Sequence, residues 1–489
     1  MQPTLFGAIV LVIGIWCQFV GYRRSVVVMF GLVVFAAASA IDLPALGGAS
    51  ITPANFFLLF FLLRLVSMRG GTGALVAEIE PRRPLFVFFL LILWIVGSAV
   101  LMPRLFEGAT DVFSLSRSLD NDGDTTPLHP TSGNLSQAVY AIGGFLVAGA
   151  TATFARKRGG YEAVLSGLVL VTSLDIVFAL LDLVTSATHT GFLLDVIHTA
   201  NYAFLTDDEL GGLKRLSGSF TEASGFASFS LCLLAVNVAL FVQRVRPRFT
   251  GAASLILTVF VVLSTSSAGY VGLAVFGGGF LVYALVAGLV FRRRRAPAVA
   301  LAAVCAGALV VGLVVLFVPP VVHVAQSVID ESLLSKAQTD SGIERGSWNA
   351  QAWQVFADTH GLGAGIGATR GSNYLLVLLS NLGAIGFGLF ALLMARVSLA
   401  RLSPALVPRE RGIVWAARIG ALTALVPAIL VGTVYDLGTL FYCLVGVGAS
   451  GAALATDPAR VALRQQPAPA GPALSAWHAS AAAHSDELS

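Results

Sequence analysis

Two stretches of this 489-residue chain gather arginines with hydroxyl, carboxyl, indole and imidazole groups. The first, KRLSGSFTEASGFASFS, sets Arg215, Ser217, Thr221, Glu222 and Ser224 just ahead of an apolar run, with Gly218 and Gly225 allowing close backbone approach. The second, GIERGSWNAQAWQVFADTHGLGAGIGATRGSNY, holds Arg345, Trp348, His360, Arg370 and Asn373. A guanidinium is a planar fork suited to bidentate grip of a phosphate or diphosphate. A carboxylate such as Glu222 can take a proton from a hydroxyl. The plainer alternatives are arginines reaching toward lipid headgroups, and Glu222 and Ser224 complementing the dipole of a following helix.

Arg345, Trp348, Ala352 and Phe356 recur at helical spacing, so an interfacial helix would show Arg345 and Trp348 on one face. The turn GLGAGIG that follows is no nucleotide fingerprint: a dinucleotide site needs a preceding strand, and a Walker loop needs Lys-Ser/Thr. It reads as flexible packing at a helix start.

The elements that must position these residues are membrane spans. The chain is 56% hydrophobic and 11% charged, against roughly 25% charged in a soluble globular protein. Runs long enough to cross a bilayer, roughly 17–25 mostly apolar residues, fall near 4–20, 25–41, 52–68, 84–102, 135–155, 161–186, 223–243, 250–264, 269–291, 297–319, 372–395, 413–433 and 437–455. None alternates at period two, which excludes barrel strands. The expectation is an all-α polytopic bundle of about 12–13 spans over residues 1–464, with a Pro/Ala/Ser-rich disordered cytoplasmic tail over 465–489. The first run has no basic residue before it and no small-residue cleavage site, so it reads as a retained span.

Basic residues orient the bundle. With these spans, 22 of the 30 lysines and arginines fall on one side, which the positive-inside rule makes cytoplasmic. The N-terminus is then outside and the C-terminus inside. The outer loops lie near 103–134, 187–222 and 320–371, and the second and third carry the arginines above. The net charge of +4 is a topology signal and gives no hint of nucleic-acid binding.

Other features are weaker. The acidic stretch SLDNDGDTTPLHPTSGN in the first loop superficially looks like a calcium loop, but Thr131 stands where the bidentate Glu belongs, so it reads as a solvated turn. Cys17, Cys232, Cys305 and Cys443 lack paired spacing and read as packing residues. Arg64, Asp175 and Asp182 fall inside spans, where charges face a partner or a cavity. Asp175 and Asp182 share a helix face. They point either to an Arg64–Asp pair pinning the third span to the sixth or to a polar chamber lining.

Three blocks resemble the O-antigen ligase/polymerase-like family, bacterial membrane glycosyltransferases that include Wzy-type polymerases and WaaL-type ligases. They are RLSGSFTEASGFA (215–227), LSTSSAGYVGLAV (263–275) and RGSWNAQAWQVFADTHGLGAGIGATRGSNYLLVLLSNLGAIG (345–386). The resemblance implies a GT-C-like fold in the bacterial inner membrane. It also implies metal-independent transfer, without cofactor, from an undecaprenyl-diphosphate-linked oligosaccharide on the periplasmic side. Membrane lipid and a chain-length regulator protein would be the other partners. By motif position Arg215 and Arg345 match the family's loop arginines, stabilising charge on the departing diphosphate. Glu222 is the candidate base, and Ser217, Trp348, His360, Arg370 and Asn373 are candidate substrate contacts. Ligase-type members carry a His-Asn pair after the glycine-rich turn. This chain has Ser372-Asn373, and its Phe220–Ser224 wording is closer to polymerases. The alternatives are an O-antigen ligase acting on lipid A core and, from another class, a lipid-linked sugar flippase.

Overall fold

A computed structural model describes residues 2–43, 49–114, 125–200, 209–210, 213–289, 295–317 and 340–453. The fold is helical throughout its body. In chain order the helices are α1 (Leu5–Phe19), α2 (Tyr22–Leu32), α3 (Pro53–Val66), α4 (Gly71–Ala77), α5 (Leu85–Leu105), α6 (Ser132–Arg156), α7 (Gly160–Ala187) and α8 (Ala223–Val242). They continue with α9 (Pro247–Leu263), α10 (Ser267–Leu289), α11 (Arg295–Phe317), α12 (Asp340–Asp358), α13 (Tyr374–Leu399), α14 (Pro408–Val431) and α15 (Thr439–Ser450). A helix occupies each of the thirteen apolar windows. Among the described residues seven are long and apolar enough to cross a membrane, or up to eight if α3 and α4, bent by 110°, form one span. The chain is therefore a multi-pass membrane protein.

Two elements depart from hydropathy. α2 stops at Leu32, well short of its window, because residues 34–40 leave the helix to bond a loop: Ala37 donates to the Ser219 carbonyl and accepts from Thr199 and Ala200. α4 is a short extra helix that hydropathy did not separate from α3. Strand is confined to short pairs, the largest joining β1 (Gln2–Pro3), β2 (Ile41–Leu43) and β3 (Ala49–Ile51) antiparallel. β4 (Asp111–Val112) pairs with β5 (Thr126–Pro127), and Glu209–Leu210 with Leu213–Lys214.

In lipid, helices associate through close packing more than through a hydrophobic drive, so small residues line the contacts. α14 runs along α8, α15 along α6, α2 along α7 and α13 along α5. Gly446 of α15 comes so near α6 that a methyl group there would stand 2.3 Å from the Ala148 carbonyl oxygen.

Charged loop residues gather at one end. Arg83 and Arg156 meet the buried Glu78 at 2.7 and 3.2 Å, Arg23 donates to the Arg158 carbonyl, Arg396 to that of Pro81, and Arg409 pairs with Glu162 at 2.9 Å. These bonds join the loops around 23, 80, 158, 396 and 409, all of which carry basic clusters. The quadruple arginine of 292–295 lies outside the described residues apart from Arg295, the first residue of α11. At the other end Thr4 donates to Ser39, Ser219 to Val34, and the Arg370 amide to Phe113. The bundle has a basic face and an opposite face, and the candidate site residues lie on the second.

The charges within spans find other partners than an arginine–aspartate pair. Arg64 donates to the carbonyl of Gln18 at 3.0 Å, closing the end of α1. Asp175 accepts from Ser230 of α8 at 2.8 Å, and Asp182 binds the loop ahead of α8. Thr172, Asp175 and Asp182 form one polar stripe on α7, and Asn237 of α8 donates to Thr172. A carbonyl at a helix end and a serine hydroxyl meet these groups locally, leaving Arg64 Nε and Asp175 Oδ1 buried with no hydrogen-bond partner among the described residues. Cys17, Cys232 and Cys443 are buried, and Cys305 is exposed. The core of the acidic stretch, 115–124, and the tail, 465–489, lie outside the described residues.

Candidate functional site

The stretch 215–222 is held by one carboxylate at Ser217 and Gly218 and by bonds from Ser219 to Val34 and Ala37. Asp182 Oδ2 accepts from the backbone N–H groups of Ser217 and Gly218, both at 2.8 Å, and from the Ser217 hydroxyl at 3.3 Å. Leu216 and Phe220 pack with Ala179, Phe226 and Phe260 in a small cluster of their own. A buried anion on α7 thus sets the loop's path, and Ser217 is a buried part of that anchor. Arg215 is half-buried beside Tyr270, close enough for its charge to act on the phenol, so the first and second sequence blocks do meet. Tyr270 itself donates to the carbonyl of Val262 at 2.9 Å.

Glu222 is the residue before α8, in extended conformation, and its side chain caps no backbone N–H. Its Oε1 instead accepts from the Ser224 hydroxyl. The carboxylate borders a cavity of about 340 Å³ walled by the end of α2, the start of α3, residues 220–232, the end of α14 and the loop 432–438. Asn55, Ser228, Asp436 and Thr439 supply the other polar groups, and Phe35, Phe220, Phe229 and Phe441 supply rings. Thr439 donates to Asn55 Oδ1 at 3.0 Å, and Asp436 Oδ1 accepts from the Gly438 N–H at 3.0 Å. Asp436 reaches the cavity yet is otherwise enclosed by protein, and this desolvation pushes its carboxyl above the ordinary aspartate value.

The third block is built differently. α12 presents Arg345, Trp348 and Ala352 on one face as its spacing required, with Arg345 and Trp348 half-buried and Ala352 fully so. The Arg370 guanidinium lies over the Trp348 ring, 5.1 Å from its centroid, and the Ser372 amide donates to Asn349. Asn373 spends its side-chain oxygen capping α13, accepting from Leu375 and Leu376. His360 is exposed, at φ 51°, with its ring edge-on to Phe106 at 6.4 Å.

The glycine-rich turn is packed, where flexibility was expected. It is threaded between α5, α6 and a break in α13 at Gly383. Ala364 and Gly365 donate to the carbonyls of Ser380 and Asn381, Asn381 bonds the backbone of 368 and 369 in both directions, and Asn134 of α6 donates to Ile366. At Gly363, φ 83°, a methyl group would stand 2.5 Å from the Gly383 nitrogen. Glycine is there for closeness and left-handed backbone, not for motion.

The residues thus fall into two groups. Arg215, Ser217 and Glu222 belong to the α7–α8 side, and Arg345, Trp348, Arg370 and Asn373 to the side built on β4, α12 and α13. A link runs through the cavity wall: Tyr374, next to Asn373, donates its hydroxyl to the Tyr435 carbonyl at 3.0 Å, adjoining Asp436. Sequence reading did not single out Asn55, Asp436 or Thr439. The one available signal was an acid at the end of an apolar run, flanked by Gly432 and Gly438. Among the described residues no group of three or more His, Cys, Asp or Glu side chains could hold a metal ion. The chain matches no protein-family model and no curated protein.

Proposed function

We propose that the chain is a membrane glycosyltransferase that polymerises oligosaccharide units carried on a polyprenyl diphosphate. In this reading it sits in a bacterial inner membrane with the basic face cytoplasmic, the N-terminus outside and the C-terminus inside. The observation that carries the reading is the position of Glu222. Its carboxylate borders a cavity walled by hydroxyl, carboxamide, carboxyl and aromatic groups, and it caps no backbone. A base must reach the proton that it abstracts, and the cavity gives an acceptor hydroxyl that access. The hydroxyl oxygen bonds to the donor's anomeric carbon while the bond from that carbon to the diphosphate breaks. The proton passes to Glu222 and then to water, and the polyprenyl diphosphate leaves with the electron pair. Arg215 and Arg345 meet its charge, and Trp348 and Arg370 hold the carrier side. The resemblance of the three blocks to the O-antigen ligase/polymerase-like family supports the same assignment, and the absence of the ligase histidine favours polymerase.

Arg215→Ala and Arg345→Ala should each lower chain extension from lipid-linked oligosaccharide by about 10²–10³-fold, as loss of one charge-stabilising donor does, with protein level unchanged. Glu222→Gln should cost about 10²–10⁴-fold. Normal chain lengths in both arginine variants would sink the reading. Transport of lipid-linked sugars is the second reading, and two interrupted helices favour it: the 110° break between α3 and α4 and the unwound Gly383 in α13. Proteoliposomes that moved a labelled lipid-linked sugar across the bilayer, yet never joined two glycans, would establish it instead.

A further inference from the structure

Three helices begin at the cavity: α3 after Thr52, α8 after Glu222 and α15 after Gly438. Their starts carry partial positive charge, roughly +0.5 of an elementary charge each. Two of these ends are met by the protein itself, since Glu222 precedes α8 and Asp436 accepts the Gly438 N–H ahead of α15. Among the described residues that line the cavity there is no lysine, arginine or histidine. An anionic ligand would face two acids without a side-chain cation to balance it.

The remaining groups suit an uncharged polyol. With Asn55 Oδ1 taken by Thr439, the carboxamide nitrogen of Asn55 has no partner among the described residues, nor has the second oxygen of Glu222. Donors and acceptors therefore line the same cavity as Phe35 and Phe229, half-buried rings that offer apolar surface to a sugar's C–H face. A volume of about 340 Å³ is at the small end of ligand pockets, which run roughly 300–1,000 Å³. It holds a single ring better than a chain.

We propose that this cavity is the subsite for one uncharged sugar ring of the acceptor, bound through Asp436, Asn55 and Thr439, and that it rejects rings bearing a carboxylate. The assignment of that ring to an acceptor rests on the glycosyltransferase reading. Asp436 is here a binding and specificity residue that aligns the ring whose hydroxyl Glu222 deprotonates.

The test is photo-crosslinking of the full chain in nanodiscs with diazirine-bearing methyl glucoside and methyl glucuronide, followed by peptide mapping. The glucoside should label 220–232 and 432–441 at least about tenfold more than the glucuronide, because like charges placed together are strongly disfavoured. Asp436→Asn should narrow that ratio several-fold, and Ser228→Lys, which adds a cation without touching the acids, should reverse it. Each variant is first checked for a wild-type gel-filtration profile, and the pair keeps the test decisive if one misfolds. Equal labelling by both sugars in the native protein, or labelling confined to other segments, overturns the proposal. Should the cavity label as expected while no glycan is ever extended, the subsite stands and the polymerase reading falls. Should Arg215→Ala abolish extension while both sugars label equally, the reverse holds.

Discussion

The segment around 215–222 and the segment 359–373 lie on the same face of the bundle, yet they are fixed by opposite means. The first is held by side chains and loop contacts: the buried carboxylate of Asp182 bonds Ser217 and Gly218, Ser219 is tied to the end of α2, and Glu222 is left directed at a cavity. The second is fixed by removing side chains: its glycines let backbone lie against backbone of α6 and α13, and no space remains. Polar anchors hold the first loop at Ser217–Ser219 and leave Glu222 free for a ligand. Glycine packing fixes the backbone across 363–367 and leaves binding to flanking side chains such as Arg370. The difference assigns the candidate base to the cavity side and rigid support of the carrier-holding side chains to the glycine side.

The largest effect that tests this contrast lies in the glycine turn. Gly363→Ala needs both a left-handed alanine and room that the Gly383 backbone occupies, so it should cost about 4 kcal/mol or more, in the range of exceptional core disruptions. Gly361→Ala shares the positive φ, but its nearest neighbour is the Phe356 ring at 3.5 Å, so it should cost only about 1–2 kcal/mol. Thermal unfolding in detergent separates the two. Equal losses would mean that backbone strain alone, and not packing, fixes this turn.

Next in size is the other anchor. Asp182→Ala strands the Ser217 and Gly218 N–H groups in a buried site, and each such group costs about 1–3 kcal/mol. The damage should be local, with faster proteolysis across 209–222 and unchanged protection across 359–373. Uniform loss of protection would show that the two regions unfold together, and the contrast would fail.

How much of this could be read beforehand follows from the same physics. Each of the thirteen apolar windows holds a helix because lipid demands apolar length, yet among the described residues only seven helices, or eight, are long and apolar enough to span where about 12–13 spans were expected, and the spacing of Arg345 and Trp348 did place them on one face of α12. Of the two readings of the charges within spans, the Arg64–Asp pair does not form, since Arg64 takes the carbonyl of Gln18, a backbone group that no sequence pattern advertises. The glycine turn was read as mobile because glycine permits both freedom and closeness, and only the neighbouring backbone decides between them. Asn55 and Thr439 escaped because their partnership spans most of the chain: Thr439 bonds Asn55 across 384 positions.

On the cavity side a pH dependence should appear that the glycine side lacks. Burial raises the folded-state value of Asp436 above its unfolded value of 3.8, so between the two the native state binds more protons than the unfolded one. Its contribution to stability is therefore favourable below that window and is lost as pH rises through the folded value. Asp436→Asn should remove this fall, flattening the stability profile from about pH 4 upward, as read by thermal unfolding across a pH series. An unchanged profile would show that the carboxyl is well solvated in the folded protein.

The smallest expected effect concerns His360, which stands at the edge of the rigid region. It is exposed and touches Phe106 only edge-on, so His360→Ala should change stability by no more than about 0.5 kcal/mol and leave chain extension within twofold of the native rate. His360→Gly should stabilise by up to about 1 kcal/mol, because glycine adopts φ 51° without the strain of a side chain. A tenfold loss of extension in the alanine variant with its stability intact would place His360 on the substrate. It would also sharpen the comparison, since the edge of the packed turn would then supply His360 as well as Arg370 to the substrate.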